Sequence, residues 1–408
     1  IYTSGTTGPP KGVMLSHRNL TWTSDCLASI SNLDENGRGV SYLPLSHIAE
    51  QTTTIHGPAQ AGGCVYFAQA IETVADDIRD VQPTIMFGVP RIWEKYYSKV
   101  SERIEGATGF KKVLVDWTRS VSRRVNAART SGKSPGFALG LQYKMVDKLV
   151  LSKLKPALGL GSATLCVSGA APIAKEILEF FAELDIVILE VYGQSEDTGP
   201  TSFNLPHAAK FGSVGRPIPG IEVKIADDGE ILVKGPNVFL GYFEDEEATS
   251  ATLKDGWLHG GDLGELDSDG YLHITGRKKD IIITAGGKNI APKNLEATLK
   301  NHRLINEAVV IGDRRKYLTV LLTLDEEVLS DNGLGTLADA ADNDAIRAEI
   351  QLAIDEMNND LAHVETIKKF TILSRNLTVE KGELTPTLKV KRNKVGEHFA
   401  DEIEAMYG

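Results

Sequence analysis

Apolar positions along the chain fall into three successive textures. In the first half, short apolar runs at residues 40–45, 84–89, 163–167 and 187–191 alternate with longer stretches at 90–105, 110–128 and 173–184. The runs have strand length, and the longer stretches repeat their apolar side chains with the period of an amphipathic helix; Pro172 stands just before the last of them. Such alternation predicts a large α/β domain over residues 1–210, with the Ser-, Gly- and Pro-containing segment 129–140 as an exposed loop. After Phe211 the pattern shortens to β-like runs at 222–225, 230–234, 263–266 and 271–274, separated by Asp227-Asp228-Gly229 and Asp269-Gly270 turns. These predict a β-rich subdomain over 211–276. The basic run Arg277-Lys278-Lys279 then leads into strands at 308–311 and 317–324 and a helix at 344–361, which predict a small α+β domain over 280–408 hinged at 277–279.

Composition narrows the function classes. The chain has 408 residues, enough for two or three domains. With 44 Lys and Arg against 55 Asp and Glu, its net charge of −11 argues against nucleic acid as a partner. Three cysteines, Cys26, Cys64 and Cys166, form no CxxC pair and can build neither a disulfide framework nor a four-cysteine zinc site, which suits a reducing, cytoplasmic setting. The longest uncharged stretch, 156–174, is rich in Gly, Ala, Ser and Pro and reads as core strand and loop rather than a membrane span. The chain opens with Ile1 and Tyr2 running straight into a Gly/Thr loop, so we expect a missing N-terminal part of the domain and an opening strand short of neighbours.

That loop, YTSGTTGPPKGV at residues 2–13, crowds hydroxyls, glycines and a lysine together. Gly5, Gly8 and Gly12 permit turns whose N–H groups can face an anion; Thr3, Ser4, Thr6 and Thr7 add hydroxyls, and Lys11 adds a charge. It is not a Walker A loop, because Pro10 precedes Lys11 where that motif needs glycine, and no GxGxxG opens a βαβ unit. Composition alone leaves a phosphate grip and a surface loop rich in small polar residues both open.

The full string closely resembles the phosphate loop of the adenylate-forming superfamily, which includes acyl-CoA synthetases, luciferases and peptide-synthetase adenylation domains. The other family motifs follow in order. EVYGQSE at 190–196 comes after an apolar run, at the end of a strand where α/β sheets bind ligands. The resemblance implies that Tyr192 packs on adenine within the Tyr192-Gly193-Gln194-Ser195 stretch, and that Glu196 and Thr3 hold Mg²⁺, a hard cation that takes carboxylate and phosphate oxygens. Gly169 and Ala170 resemble the family's small-residue adenine wall. Asp262, in WLHGGDLG, matches the ribose-binding carboxylate, and Arg277, in ITGRKKDII, matches the arginine that meets ribose or phosphate oxygens. Taken alone, YGxSE and Asp262 read as turn residues. Lys279 matches the family's hinge position, and Gly286 matches the glycine lining the pantetheine tunnel. Lys389 sits in LTPTLKVKRNKV, which reads alone as a solvated charge run; after Thr385-Pro386-Thr387 it resembles the family's C-terminal catalytic lysine.

The resemblance implies ATP, CoA and Mg²⁺ as cofactors and a carboxylic acid as substrate. YLPLSHIAEQ, VPRIWEK and ITAGGKNIAP are most similar to long-chain and bubblegum-type synthetases, which implies a long-chain fatty acid and places His47 in the catalytic centre near its carboxylate. Two other readings stand beside this one: an acyl-AMP ligase that hands the acyl group to a carrier protein, and an inactive fragment that binds nucleotide or acyl chain without turnover. Acyl delivery makes peripheral membrane contact an expectation, although no amphipathic anchor stands out in the sequence.

Overall fold

Three parallel strands, Ile85–Gly88, Leu165–Ser168 and Ile188–Tyr192, lie side by side in the computed structural model, which describes residues 1–3, 10–71, 73–385 and 389–408. All four residues of Leu165–Ser168 are buried, as expected of a central strand covered on both faces. Antiparallel strands Ser202–Phe203 and Arg216–Pro217 extend the sheet beyond Ile188–Tyr192. The helix Pro90–Glu105 begins on a proline whose missing N–H costs nothing there, and it buries Trp93, Tyr96 and Val100. Trp93 packs so closely on Gly88 that a β-carbon at that glycine would lie 2.6 Å from the indole nitrogen. The helix Lys175–Ala182 supplies Ile177, Leu178 and Phe181 to the same core.

Because the strands are parallel and in register, with Gly88 opposite Ser168 and Ser168 opposite Glu190, their carboxyl ends share one edge. The segments leaving that edge carry Gly169, Ala170 and the Tyr192 to Glu196 stretch. A second, antiparallel sheet contains Glu222–Ile225, Glu230–Lys234 and the ten-residue strand Trp257–Leu266, so Asp262 lies inside a strand rather than a turn. A small antiparallel sheet pairs Tyr2–Thr3 with Lys11–Met14, and Lys11–Met14 with Gly241–Tyr242. The opening strand pairs on one side only, with Lys11–Met14, and lies at the edge of this sheet with Tyr2 exposed.

One expectation fails. Segment 129–140 is not a continuous loop: the helix Gly109–Thr130 runs into it, and a new helix, Phe137–Val146, starts from Gly136. Ser, Gly and Pro break the chain at 131–136, and Phe137, Leu139, Gly140 and Leu141 already belong to the second helix.

The chain divides into two compact units at Ile274 and Thr275, inside the strand Leu272–Arg277. In the second unit Ile305–Ile311, Leu318–Leu324 and Ile367–Ile372 form one sheet. All seven residues of the middle strand are buried. Alternation sends Leu318, Val320, Leu322 and Leu324 against the helices Pro292–Leu299 and Asp344–Asn359, and Leu321 to the opposite core with Val395, Phe399 and Ile403.

Candidate active site

Tyr192 ends its strand with the ring half-buried and its hydroxyl donating to Asp262 Oδ2 at 3.0 Å. The Gln194 amide nitrogen donates to both partners, at 3.0 Å to Tyr192 Oη and 2.6 Å to Asp262 Oδ2. Burial first, and then the Asp262 charge, push the Tyr192 phenol well above its ordinary pKa, so it remains a donor across the physiological range. Gly260, two residues before Asp262 on the same strand, leaves room for this arrangement, since a β-carbon there would lie 2.3 Å from the Gln194 amide. Neither the role of Gly260 nor the Gln194–Asp262 bond is visible in the linear motif, because the partners are 68 residues apart.

Glu196 belongs to a single turn, Ser195–Asp197, and accepts a hydrogen bond from Tyr242 Oη at 2.8 Å. Tyr242 in turn is opposite Val13 in the opening sheet, and Lys11 Nζ lies 5.0 Å from its ring centroid and 3.6 Å from Asp245. Lys11, Tyr242 and Glu196 thus form a chain of contacts from the flank of the hydroxyl-rich loop to the strand edge. Thr3 stands opposite Lys11 and donates to its carbonyl at 3.5 Å. Ser4, Gly5, Thr6, Thr7 and Gly8, the centre of the expected phosphate grip, lie outside the described residues. Among the described residues no cluster of three or more His, Cys, Asp or Glu could hold a metal on its own. Glu196 is nonetheless a fitting ligand for Mg²⁺, which commonly uses one or two protein carboxylates and takes its remaining oxygens from phosphate and water.

Two acids behind the edge are forced toward neutrality. Asp197 is fully buried and pushed up to about 8 by desolvation, while accepting from the Gln194 backbone N–H at 2.7 Å and from the Thr201 hydroxyl. Glu190, on the strand itself, is likewise pushed up to about 8 by burial and accepts from the Gly212 N–H at 3.1 Å. Asp197 holds the turn that presents Glu196, through the Gln194 N–H, while Glu190 ties its strand to Gly212.

An apolar cavity of roughly 170 Å³ opens beside the same edge. Ala170, Val191 and Gly193 line it, together with Gly39, Phe87 and His47. By volume it has room for roughly a dozen water-sized groups. His47 caps the short helix Ile48–Gln51, its Nδ1 accepting from the Ala49 N–H at 3.1 Å, which orients the ring at the cavity wall. Ala170 sits in the left-handed region at φ 70°, a conformation that costs an alanine about 1 kcal/mol and so marks a tightly determined turn. At Gly169 a β-carbon would lie 2.6 Å from Val191 Cγ1, and at Gly193 only 1.3 Å from the Gly199 carbonyl oxygen.

Three expected site residues belong to the second unit. Arg277 closes the strand Leu272–Arg277 and its carbonyl accepts from the Asp280 N–H at 2.9 Å, turning the chain at the expected hinge. Gly286 is exposed in the turn between Ile282–Ile283 and Asn289–Ile290. Lys389 is exposed; its N–H donates to Thr385 Oγ1 at 3.0 Å, and the Thr385 N–H donates to the Lys389 carbonyl at 2.8 Å. Pro386 and Thr387 between them lie outside the described residues. Glu383, unmarked in the sequence, anchors this segment: fully buried, it accepts from Arg375 at 2.5 Å and 2.8 Å and contacts His398 Nδ1 at 2.8 Å. Arg375 foremost holds the Glu383 carboxyl down at about 2.

Comparison with known proteins bears on the family of the chain. A family model described as AMP-binding enzyme matches residues 1–243, and one described as AMP-binding enzyme C-terminal domain matches residues 279–408. The long-chain-fatty-acid–CoA ligase ACSBG2 of Xenopus laevis is 39% identical over 444 residues, a match covering 100% of this chain and 60% of that protein. The long-chain-fatty-acid–CoA ligase FadD15 of Mycobacterium bovis is 38% identical over 425 residues, covering 100% of this chain and 68% of that protein. Among solved structures, O-succinylbenzoate coenzyme A synthetase from Bacillus subtilis, in complex with ATP and magnesium ion, aligns with a TM-score of 0.66 at 26% identity, covering 96% of this chain and 68% of that one. The chain spans about three fifths of the length of the Xenopus relative. With both family models matched in sequence order and the fold shared, the chain belongs to the AMP-binding enzyme family.

Proposed function

We propose that the protein activates a long-chain fatty acid with ATP, forming acyl-AMP and pyrophosphate, and then transfers the acyl group to CoA. The observation that carries this reading is the meeting of Tyr192, Glu196 and the apolar cavity at one strand edge, with Asp262 hydrogen-bonded to Tyr192. A nucleotide needs an aromatic face and acceptors for its ribose hydroxyls, which Tyr192 and Asp262 supply; an acyl chain needs dry space reaching that nucleotide, which the cavity lined by Gly193 supplies. The long-chain preference draws further support from the two ligases to which the chain is 38–39% identical.

A carboxylate is a poor electrophile toward a thiol because its leaving group would be oxide. In the first half-reaction a carboxylate oxygen attacks the α-phosphorus of ATP, the bond from that phosphorus to pyrophosphate breaks, and AMP becomes the later leaving group. The protein's work is to position the reactants and neutralise charge. In our assignment the loop at residues 3–11 holds phosphates, Gly169 and Ala170 border the adenine, His47 lies by the acid and Lys389 offsets charge on carboxylate and α-phosphate. Mg²⁺, when held by Glu196 and a loop hydroxyl, supplies electrostatic stabilisation of the phosphate oxygens. In the second half-reaction the CoA sulfur attacks the acyl carbon and AMP departs, with Gly286 bordering the pantetheine arm. Residues 277–279 are the hinge on which the second unit delivers and withdraws Lys389.

The test is pyrophosphate release by the intact protein with ATP, Mg²⁺ and a ladder of fatty acids, with and without CoA. Release that rises with chain length and free thiol that is consumed support the reading. Release without thiol consumption favours a carrier-protein acceptor, and no acid-dependent release refutes activation.

A further inference from the structure

We propose that the helical hairpin at residues 109–157 is a docking surface for an anionic lipid bilayer. Its two arms are the helix Gly109–Thr130 and the continuous helical run 137–157. The arms hold each other through Val121, Val125, Val146 and Leu151, with Arg124 donating to Gln142 Oε1 at 3.0 Å across them. That face is packed, and further apolar residues of the hairpin lie on its outside. Phe137 is 92% exposed, and Leu141, Met145 and Leu149 follow it at every fourth position, each about half exposed. Phe110, 80% exposed, and Val113 carry apolar surface onto the first arm. Together they account for six of the twenty large exposed apolar side chains of the described residues, gathered on one hairpin. An apolar patch this concentrated is the mark of an interaction surface.

Charge identifies the partner. Residues 109–157 contain seven lysines and four arginines against two aspartates, a net +9 inside a chain whose overall charge is −11. Exposed Lys144, Lys148 and Lys153 flank the apolar row, and exposed Lys111 and Lys112 flank Phe110 and Val113. Exposed Phe, Leu and Met bordered by lysines are the pattern of an interfacial helix, whose apolar side chains enter the acyl boundary while the cations remain among anionic headgroups. A second copy of the chain is a poor occupant, since two such faces would bring like charges together. No helix of the described residues is long and apolar enough to cross a membrane, so the contact proposed is peripheral. The sequence hides this surface because its apolar positions share each helix with the packed face, and only the hairpin's folding separates the two.

The proposal stands on surface chemistry independent of the catalytic assignment. The test is sedimentation of the intact protein with vesicles of phosphatidylcholine alone or with phosphatidylserine added, at low and high salt. The wild type is expected to bind the phosphatidylserine vesicles selectively, and salt to weaken binding. Each lysine near the surface is worth roughly five-fold in partitioning, so Lys144→Glu with Lys148→Glu is expected to lose at least about ten-fold. Phe137→Glu should lose binding and Phe137→Leu retain it, with turnover of a short soluble acid unchanged in both. Equal binding to the two vesicle types, or wild-type binding by both charged variants, overturns the proposal. So does a self-association abolished by Phe137→Glu while vesicle binding persists.

Discussion

The Tyr242 hydroxyl donates a hydrogen bond to Glu196 Oε1 at 2.8 Å, joining the strand beside the opening loop to the turn that carries the metal-binding carboxylate of our assignment. Tyr242→Phe deletes this bond while the ring keeps its edge-on packing against Phe239 at 5.0 Å. A bond of this kind to a charged group is worth about 1.5–3 kcal/mol. Global stability is expected to fall by no more than that, while the half-saturating Mg²⁺ concentration for pyrophosphate release rises several-fold. Metal titrations of the variant that overlay on the wild type would contradict the role given to Tyr242.

Two glycines at the edge make opposite demands. At Gly193 an added β-carbon meets the Gly199 backbone oxygen at 1.3 Å, and backbone cannot step aside. Gly193→Ala is therefore expected to destabilise the protein by about 3 kcal/mol or more, read as a lowered denaturant midpoint. At Gly260 the obstacle, 2.3 Å away, is the tip of the Gln194 side chain, which can swing off Asp262. Gly260→Ala should fold with a loss of only about 1 kcal/mol, yet raise KM for ATP several-fold as the Tyr192–Gln194–Asp262 set comes apart. Equal unfolding midpoints for the two variants would refute this distinction.

The buried Glu190 carboxyl makes stability fall with rising pH. In the unfolded chain a glutamate ionises near pH ~4.3. In the fold burial pushes this one up to about 8. Between those values the unfolded state has released its proton and the folded state has not. The stability margin is complete below the lower value, shrinks through the window, and is lost above the upper one. Asp197, pushed the same way to about 8, adds a parallel slope. Glu190→Gln keeps an acceptor for the Gly212 N–H and removes one titration. Its denaturant midpoint is expected to match the wild type at the acidic end of the window, exceed it at the alkaline end, and vary less in between. A wild-type pH slope in the variant would contradict the protonated assignment.

Gly39 lines the apolar cavity, and a β-carbon built there meets nothing within 4 Å. Gly39→Leu should therefore fold normally and occupy space that an acyl chain would otherwise use. Each methylene that loses its apolar surroundings costs about 0.8 kcal/mol, or roughly four-fold in kcat/KM. The variant is expected to lose ten-fold or more on the longest acids while retaining wild-type rates on short ones. A uniform loss across the ladder would show that the cavity is not where the chain goes.

How far the sequence could be read depended on how local the cause was. The helix Pro90–Glu105 is legible to the residue, since Pro90 starts it, Gly106 follows it and its apolar face is continuous. The helix His17–Ser31 is not, because its buried face is polar: Asn19, Thr23 and Ser24 are inside, and the Asn19 amide donates to the Pro236 and Val238 carbonyls at 2.7 Å and 2.9 Å. Only the partner more than two hundred residues away explains why Asn19 is buried. The candidate site divides in the same manner. Tyr192, Glu196, Asp262 and Lys389 sit in short strings that can be recognised by resemblance. Tyr242, Gly260 and Glu383 act through contacts between distant segments, and the protonation of Glu190 and Asp197 depends on burial that no string encodes.

Most directly, the account is tested by fatty-acid-dependent exchange of labelled pyrophosphate into ATP, measured without CoA for the intact wild type and for Asp262→Ala. It predicts exchange in the wild type that requires both the acid and Mg²⁺, and a loss of about 100-fold or more in a variant that remains folded. Exchange that is absent from the wild type, or that survives removal of the Asp262 carboxylate, would contradict it.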